Sequence, residues 1–392
     1  ERCGPAADVH CGVEPGGPAA VPRAADVGEP DHGHDGGACA GHRGAHAGAA
    51  GAPSVHAVVV ACEPGDVAQH SRAVGVPAGG DSVGVTLTIE PGTIIKGEAG
   101  TGANATALLI ARGGKLMAEG TAAEPIIFTS IADNIMPGEI ASPNLATDLD
   151  GLWGGLIILG NAPISADADA VQIEGIPPSD QNGLYGGNDA DDNSGIIKYV
   201  SIRHGGSNIG EGNEINGLTL GGVGSGTIIE NIEVVANQDD GIEWFGGTVN
   251  VTNALVWNAG DDAIDTDQSW AGTLTNAIVI NAGDECFELD GPEGTLEAKH
   301  TIKNVSVFAD GADGLVDLDD NSLVDMDGIY FFGLNSGQDF DELPTVYTCV
   351  FTNFEADIPD GETVADYFKD GSDAFTTDVG NANTVGATKS AF

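Results

Sequence analysis

Carboxylates that recur at a fixed spacing dominate the second half of the chain. In each repeat an Asn is followed about eight residues later by an Asp that opens a turn, and a further acid stands four residues after that Asp. The four copies are Asn231 with Asp239, Asp240 and Glu243, Asn253 with Asp261, Asp262 and Asp265, Asn276 with Asp284, Glu285 and Glu288, and Asn304 with Asp313 and Asp317. The successive Asn residues lie 22, 23 and 28 positions apart. Carboxylates repeated in this way could bind divalent cations or act as general acids and bases.

Short strands must position these acids. From residue 85 onward, segments such as 85–89, 107–111 and 125–129 are apolar or alternate apolar with polar residues, and Gly, Pro and Asn separate them. A repeat of about 22 residues built from such strands indicates a solenoid with one coil per repeat, so we expect an all-β coil. Residues 131–151 and 161–195 break the rhythm, and we expect them to be long loops that shape a binding face.

The chain from about residue 85 to 350 resembles the right-handed parallel β-helix proteins of the pectate-lyase-like superfamily, and more narrowly the secreted or surface β-helix proteins of environmental bacteria. The resemblance rests on LTIEPGTIIKG at residues 87–97, AEGTAAEPIIFTS at 118–130, GLWGGLIILGNAPI at 151–164 and the acidic coils. It implies an all-β, right-handed parallel β-helix. It does not choose among lyases, hydrolases, epimerases, phage spikes and adhesins, because one fold serves many functions.

Strand alternation divides the side chains of the acidic coils into two sets. Counted from the Asp that opens each turn, the third and fifth following residues are apolar or Thr, which predicts that they face the interior. The fourth and sixth residues then face outward. The fourth position holds Glu243, Asp265, Glu288 and Asp317, and the sixth holds Phe245, Asp267, Asp290 and Asp319.

Three interpretations of this acidic face are open: a solvated surface, a calcium site or a catalytic site. Carboxylates on neighbouring coils, about 4.8 Å apart, repel by on the order of 3 kcal/mol at an effective dielectric of about 20. Solvation, bound Ca²⁺ or raised pKa values can offset this repulsion. The predicted calcium ligands are Asp240, Asp261, Asp262, Asp265, Asp267, Asp284, Glu288, Asp290, Asp317 and Asp319. The predicted catalytic carboxylates are Glu243, Asp265, Asp267, Glu288 and Asp290, with Asp261 as a further candidate.

Three other residues are candidates for ligand binding. Arg203 and His204 precede the acidic coils and could bind an anionic sugar; the alternative is an Arg paired with a neighbouring acid and a His in a turn. Trp270 follows a turn and could stack on a sugar if it lies at the surface, whereas Trp244 is predicted to face inward.

Asparagine columns are predicted to be structural, because identical side chains on stacked coils can form hydrogen-bonded ladders. The first column is Asn231, Asn253, Asn276 and Asn304, and the second is Asn237, Asn258 and Asn281.

The composition changes abruptly near residue 83. Residues 1–83 lack Leu, Ile, Thr, Asn and all aromatic residues, and they hold seven of the 9 His and four of the 6 Cys. Such a segment cannot build a core, so we expect disorder or an out-of-frame artefact, with a metal-binding tail around residues 32–46 as the alternative. Residues 84–350 are predicted to form the β-helix and residues 351–392 a partly irregular cap.

The charge balance limits the possible partners. The chain has 60 acidic and 13 basic residues, a formal net charge of −47, which disfavours nucleic acid and anionic membranes as partners. No apolar run approaches the roughly 18 residues of a membrane span. We therefore expect a secreted or outer-surface bacterial protein that is associated with calcium and binds a polysaccharide or another cell-surface polymer. The alternatives are a glycoside hydrolase or lyase that uses the acidic face, and a structural spike or adhesin.

Overall fold

The structure is a computed structural model, and it describes residues 9–11, 72–74, 84–102, 105–176, 180–209, 215–334, 340–341, 349–363, 366–370, 373–374 and 384–389. The predicted metal-binding tail around residues 32–46 lies outside the described residues. Within the described part of the chain, no helix is long and apolar enough to cross a membrane.

Strands form nearly all of the regular structure, and a single 3₁₀ helix, Gln181–Gly183, is found among the described residues. The strands are β1 Val9–Cys11, β2 Arg72–Val74, β3 Thr86–Ile89, β4 Ile94–Gly97, β5 Leu108–Ile110, β6 Lys115–Glu119, β7 Ile126–Ser130, β8 Leu156–Leu159, β9 Val171–Gln172, β10 Leu184–Tyr185, β11 Gly195–Arg203, β12 Leu218–Gly221, β13 Ile228–Asn237, β14 Ile242–Phe245, β15 Asn250–Ala259, β16 Ile264–Asp267, β17 Thr273–Ile280, β18 Glu288–Leu289, β19 His300–Phe308, β20 Val316–Asp317, β21 Val324–Phe332, β22 Phe340–Asp341, β23 Val350–Ala356, β24 Lys369–Asp370, β25 Asp373–Ala374 and β26 Thr384–Lys389.

Two parallel sheets run along the coil. The long-strand sheet pairs in the order β1-β3-β6-β11-β13-β15-β17-β19-β21-β23-β26, and β4 and β7 extend it alongside β11. The short-strand sheet pairs in the order β2-β5-β8-β12-β14-β16-β18-β20-β22-β24-β25, in which only the last pair is antiparallel. Each acidic coil gives one strand to each sheet and pairs with the coil before and after it. The predicted all-β, right-handed parallel β-helix is confirmed.

An asparagine bend divides each long strand of the acidic coils into two halves. Asn231, Asn253, Asn276 and Asn304 have φ angles of 59°, 60°, 59° and 56°, a left-handed backbone that Asn adopts more readily than most residues. Their side chains stack: Nδ2 of each Asn donates to Oδ1 of the Asn on the preceding coil, at 2.9, 3.2 and 3.3 Å. The predicted first ladder is confirmed.

The second ladder is shorter than predicted. Asn281 donates from Nδ2 to Oδ1 of Asn258 at 3.2 Å, and both residues have left-handed φ angles. Asn237, however, is in register with Ala259, so its placement in this column is wrong. Ala236 occupies the bend position, with φ of 56°, because strand pairing carries Asn237 one residue past the bend.

The interior of the coil is apolar, as strand alternation predicts. The inward positions of the acidic coils are all at most 1% exposed: Ile242, Trp244, Ile264, Thr266, Phe287, Leu289, Val316 and Leu318. These side chains belong to one continuous core or contact it, which leaves the outward positions of the same strands available for chemistry.

The first predicted loop, residues 131–151, leaves the coil after β7 and packs against the ends of the long strands. Nη1 of Arg203 donates to the carbonyl oxygen of Ile140 at 2.6 Å, and Nδ2 of Asn258 donates to that of Thr147 at 2.6 Å. The loop therefore covers the outer side of β11, β13 and the end of β15.

The second loop, predicted at residues 161–195, spans residues 160–194 between β8 and β11 and packs over the outer face of the short-strand sheet. Ile164 and Tyr185 of this loop join Leu159 and Phe245 in a separate apolar cluster, and Tyr185 and Phe245 have ring centroids 5.8 Å apart. Outward-facing apolar residues of β8 and β14 are buried in this way. The cover extends over the first outward acids, Glu243 and Asp265, which are buried, and ends before Glu288, which is half-buried.

Coil pairing continues beyond the predicted ends of the β-helix. β23 pairs with β21 and β26 pairs with β23, both in parallel, so the long-strand sheet extends past residue 350. At the other end, β1 pairs with β3 and β2 pairs with β5. The rest of residues 1–83, where we predicted disorder or an artefact, lies outside the described residues.

Candidate functional site

A column of carboxylates stands on the outer face of the short-strand sheet. Strand pairing places Glu243 beside Asp265, Asp265 beside Glu288, and Glu288 beside Asp317. The outward direction follows the predicted alternation, but Glu243 and Asp265 are only 6% and 8% exposed. They are buried because the loop of residues 160–194 ends over this part of the sheet. The alternation of side chains along a strand does not predict this cover.

A second column lies at the turn before each short strand. Asp240, Asp262 and Glu285 occupy it, and the first two carboxylates each accept a hydrogen bond from the next coil: Asp262 N donates to Asp240 Oδ1 at 3.0 Å, and Glu285 N donates to Asp262 Oδ1 at 2.6 Å. These acids therefore hold adjacent turns together as well as contributing negative charge.

Asn216 occupies the same position one coil earlier, and we did not predict it. The register that pairs Leu218 with Ile242 aligns Asn216 with Asp240. Its amide nitrogen donates to Oε1 of Glu174 at 3.2 Å and to Oε2 of Glu243, while its carbonyl oxygen is buried without a hydrogen-bond partner. The sequence signal was available, since Asn216-Gly-Leu-Thr repeats the pattern Asp240-Gly-Ile-Glu. Glu174 lies in the covering loop, where no pattern indicates it.

The two columns converge at Asp240, Glu243 and Asp265. Each of these buried residues offers a carboxylate oxygen, and the three oxygens lie within 4.8 Å of one another. Asp239, Asp240 and Asp261 form a second such group nearer to solvent. Two ligands on opposite sides of a Ca²⁺ ion are about 4.6–5.2 Å apart, so both groups match the size of that ion.

Burial sets the protonation of the inner group. It raises the pKa of Asp240, Glu243 and Asp265 well above the ordinary values, and the charge of Asp265 adds to the effect on both Asp240 and Glu243. A hydrogen bond between Glu243 and Asp265 further favours a proton on Glu243. The raised pKa values favour the protonated form of these carboxyl groups, and a bound cation would favour the ionised form.

The next coils extend this behaviour. Burial raises the pKa of Asp262 to about 11 and, together with the charge of Asp284, that of Glu285 to about 7. Burial also raises the pKa of Glu288, whose hydrogen bond with Asp262 acts in the opposite direction.

Asp267 and Asp290 form the outward pair at the sixth position. Burial is the main cause that raises the pKa of each to about 7, and nearby acids, Glu293 for Asp267 and Glu288 for Asp290, raise it further. Oδ1 of Asp290 is buried without a hydrogen-bond partner. A carboxyl group that titrates near neutrality can serve as a general acid or base.

The remaining predicted ligands lie at the rim of the acidic face. Asp261, Asp284 and Asp319 are exposed, and Asp317 is half-buried at the end of the first column. Of these four, Asp261 belongs to the outer converging group with Asp239 and Asp240, whereas Asp284, Asp317 and Asp319 belong to neither group of three. The ion pairs between described residues, Lys198–Glu230, Arg203–Glu233 and Lys299–Asp325, lie along the long-strand sheet rather than on the acidic face.

Arg203 and His204 are buried away from the acidic face. Nε of Arg203 donates to Oγ of Ser201 at 2.6 Å, and Nη2 pairs with Glu233 at 3.2 Å. Nδ1 of His204 lies 2.6 Å from the carbonyl oxygen of Leu149, and burial lowers its pKa. The prediction of an exposed anion-binding pair is wrong; the alternative, an Arg paired with an acid and a His in a turn, describes what is found.

Trp270 lies in the core and not at the surface. It is 1% exposed, its ring stacks on Trp244 with centroids 4.7 Å apart, and Nε1 donates to the carbonyl oxygen of Val249 at 3.0 Å. The prediction that it forms a sugar platform is wrong, because the turn at Gln268 and Ser269 has left-handed φ angles that direct the following residue inward.

Comparison with known proteins supports the architecture. The profile of the pectate-lyase like beta helix domain family matches residues 82–343. No curated protein matches the chain. Two solved structures are similar: full-length tailspike protein 2 from an Escherichia coli O157:H7 bacteriophage, at 10% identity, and the enzymatically active domain of tailspike protein 2 from bacteriophage CBA120, at 11%. Each match covers 78% of this chain and has a TM-score of 0.21; the chain spans 36% and 40% of the two tailspike chains.

Proposed function

The chain is a member of the pectate-lyase-like β-helix domain family, and we propose that it is an extracellular surface protein that holds calcium on its acidic face and binds a polysaccharide or another cell-surface polymer. The observation that carries the proposal is the buried group of Asp240, Glu243 and Asp265, whose carboxylate oxygens lie within 4.8 Å of one another.

Several features of the site favour Ca²⁺. Calcium takes six to eight oxygen ligands, and the three carboxylates supply up to six. The side-chain amide of Asn216 donates a hydrogen bond to Glu243 from its nitrogen. Its oxygen, Oδ1, is buried without a hydrogen-bond partner and is therefore available as a further calcium ligand. A bound divalent cation would offset the repulsion that otherwise requires these groups to hold protons.

The loops around the site fit an extended ligand. The outer face of the short-strand sheet is partly exposed from β18 onward, where Glu288 and Asp317 are half-buried. The loop of residues 160–194 borders this part on one side, and the backbone amide of Glu293 donates to Oγ of Ser165 in that loop at 3.2 Å. With a net charge of −47, the protein would repel an anionic polymer unless cations bridged the two. Calcium would therefore both stabilise the fold and mediate binding.

Thermal unfolding of the full chain tests the calcium proposal. We expect the melting temperature to fall by several degrees in EDTA and to recover with Ca²⁺ but not with an equal concentration of Mg²⁺, which requires a smaller octahedral site. Unchanged melting in all three conditions would remove calcium from the proposal. Binding to a panel of uronate-containing and neutral polysaccharides, with and without Ca²⁺, then tests the ligand; we expect the uronate polymers to bind only with Ca²⁺.

A polysaccharide-degrading enzyme is the second candidate, favoured by the pKa values near 7 of Asp267 and Asp290. Asp267 and Asp290 stand on adjacent coils, which are about 4.8 Å apart, close to the roughly 5 Å that separates the two carboxyl groups of retaining glycosidases. If this is the function, Asp290→Asn abolishes turnover of a susceptible polysaccharide while the melting temperature with Ca²⁺ stays within a few degrees of the wild type. Reducing-end assays on the same polysaccharide panel separate an enzyme from a binding protein, since a binding protein releases no product.

A further inference from the structure

One face of the coil carries no charge, although the whole molecule is strongly acidic. It is the outer side of the second halves of β15, β17, β19 and β21, and we call it the apolar face. Its residues are Leu255, Trp257, Ile278, Ile280, Ser306, Phe308, Tyr330 and Phe332. Seven of these eight side chains are apolar or aromatic, and Ile278 and Phe308 are 43% and 39% exposed.

Strand pairing makes the apolar face a regular array. Leu255, Ile278, Ser306 and Tyr330 are successive neighbours in one column, and Trp257, Ile280, Phe308 and Phe332 in the other. The first column has an acid at each end, Glu233 before Leu255 and Glu355 after Tyr330. An apolar centre with a polar rim is the usual anatomy of a protein interface.

The same side of the sheet is already covered by protein on the preceding coils. The loop of residues 131–151 packs there: Arg203 binds the carbonyl oxygen of Ile140, and Val235, the neighbour of Trp257, is 5% exposed. The cover reaches β15 through the hydrogen bond between Asn258 and Thr147 and does not extend over Ile278 and Phe308. The exposed part of the sheet therefore continues a surface that packs against polypeptide.

The ring geometry also favours a protein partner over a sugar. Phe308 and Phe332 have centroids 4.5 Å apart and planes within 4° of parallel, a spacing close to the rise of one coil. The rings therefore stack along the coil axis and present their edges to solvent. A sugar stacks on the flat face of an aromatic ring, and here each ring covers a face of the other.

We propose that the apolar face binds the same face of a second copy of the chain. A partner with charges at this position would leave them unpaired against apolar side chains, which is unfavourable, whereas a copy offers the same uncharged array. Two molecules with a net charge of −47 repel each other. The apolar face carries no carboxylate, so two copies can approach through this face without placing carboxylates opposite one another. This inference does not depend on the proposed calcium or polysaccharide binding.

The size of the array sets the expected strength. The apolar face is four coils wide at about 4.8 Å per coil and four residues long at about 3.3 Å per residue, so its projected area is roughly 250 Å². A standard stable interface buries ~800 Å² per partner, which is much more. Side chains flanking the array enlarge the contact. We therefore expect a reversible dimer that dissociates on dilution.

Sedimentation equilibrium of the full chain across a hundredfold range of concentration tests the proposal. We expect a monomer–dimer equilibrium that tightens as NaCl is raised, since salt screens the mutual repulsion while leaving apolar contact intact. Ile278→Glu should weaken dimerisation at least tenfold, because it places a carboxylate at the centre of the interface.

Ile228→Glu is the matched control. Ile228 is 39% exposed, close to the 43% of Ile278, but it lies on the first half of β13, outside the apolar face. Both variants add the same charge, and circular dichroism of each variant checks that it folds before association is compared. The proposal fails if the wild type is monomeric throughout the concentration range, or if the two variants weaken association equally.

Discussion

At the scale of single residues, the buried carboxylates have two ways to avoid repelling one another. Glu243 and Asp265 can share a proton, as their hydrogen bond and raised pKa values indicate, or they can both ionise around a cation. The first state needs no ligand and the second requires one. The balance between them depends on pH and on the concentration of divalent ions, so the same residues can be neutral or fully charged in different surroundings.

Asp265→Asn separates these two states. The amide is nearly the same size but carries no charge, so it removes a repelling group and also a calcium ligand. In EDTA at pH 8 we expect a melting temperature equal to or above that of the wild type, and we expect the rise produced by Ca²⁺ to shrink by more than half. Differential scanning calorimetry at matched calcium concentrations measures both quantities.

Asp313→Asn is the control for this substitution, since Asp313 is an exposed acid of the fourth repeat and lies outside both groups of converging carboxylates. It should leave the calcium-dependent rise unchanged. An equal loss in both variants would mean that calcium acts on the general charge of the surface and not at the inner group.

Sequence reasoning located the carboxylates of the site but not their environment. The outward direction of Glu243 and Asp265 follows from alternation, because it depends only on neighbours along the strand. Their burial depends on a loop that is some 70 residues away in the chain, and no local pattern predicts such contacts. Trp270, a candidate sugar platform only if it lay at the surface, is in the core for a different reason: it follows two residues with left-handed backbone angles, to which strand alternation does not apply.

At the scale of the structural element, the asparagine bend is the feature that shapes each coil. The left-handed angle turns the long strand, and the stacked amides join one bend to the next. Gly328 occupies the bend of β21 with φ of 73°, and Tyr199 occupies that of β11 with φ of 49°. The left-handed angle is therefore kept on coils that lack the bend asparagine.

Substitutions at Asn276 test whether the backbone angle or the ladder matters more. Asn276→Ala loses the ladder hydrogen bonds and must also adopt a left-handed angle, which costs a residue with a Cβ about 1–2 kcal/mol. Asn276→Gly loses the same hydrogen bonds without that strain. We expect the alanine variant to be less stable than the glycine variant by about 1 kcal/mol in urea unfolding. The opposite order would show that the angle is not the limiting factor.

The repeat made this element predictable, and the limits of the prediction are physical. Asn231, Asn253, Asn276 and Asn304 were placed correctly because they recur at the period of the coil. Asn237 was misplaced by one residue, since the spacing between turns varies from coil to coil and only strand pairing fixes the register.

At the scale of the whole molecule, the acidic face should give stability an unusual dependence on pH. Burial raises the pKa of Asp267, Glu285 and Asp290 to about 7, against about 4 in an unfolded chain. A raised pKa contributes stability that is present below the unfolded value and is lost as pH rises through the folded value. In EDTA the melting temperature should therefore fall between pH 5 and pH 8, and Ca²⁺ should flatten this fall.

His300 limits stability on the acid side. It is buried, and burial lowers its pKa to about 3, so it contributes stability that is present above the unfolded value of about 6.5 and is lost as pH falls toward 3. The two effects together place the maximum of stability in EDTA at mildly acidic pH. A melting temperature that increased steadily from pH 5 to pH 8 in EDTA would contradict this prediction.

The parallel pairing of the coils has a consequence for how such a protein can change over generations. In the acidic part of the β-helix, strand pairing joins each coil only to the coil before and after it, so duplication or deletion of one repeat of 22 or 23 residues leaves the pairing of the others intact. A single duplication would add one acid to the carboxylate column, one amide to the asparagine ladder and one pair of side chains to the apolar face, all in register. A change in the number of repeats therefore lengthens or shortens the carboxylate column, the asparagine ladder and the apolar face together, without any new substitution.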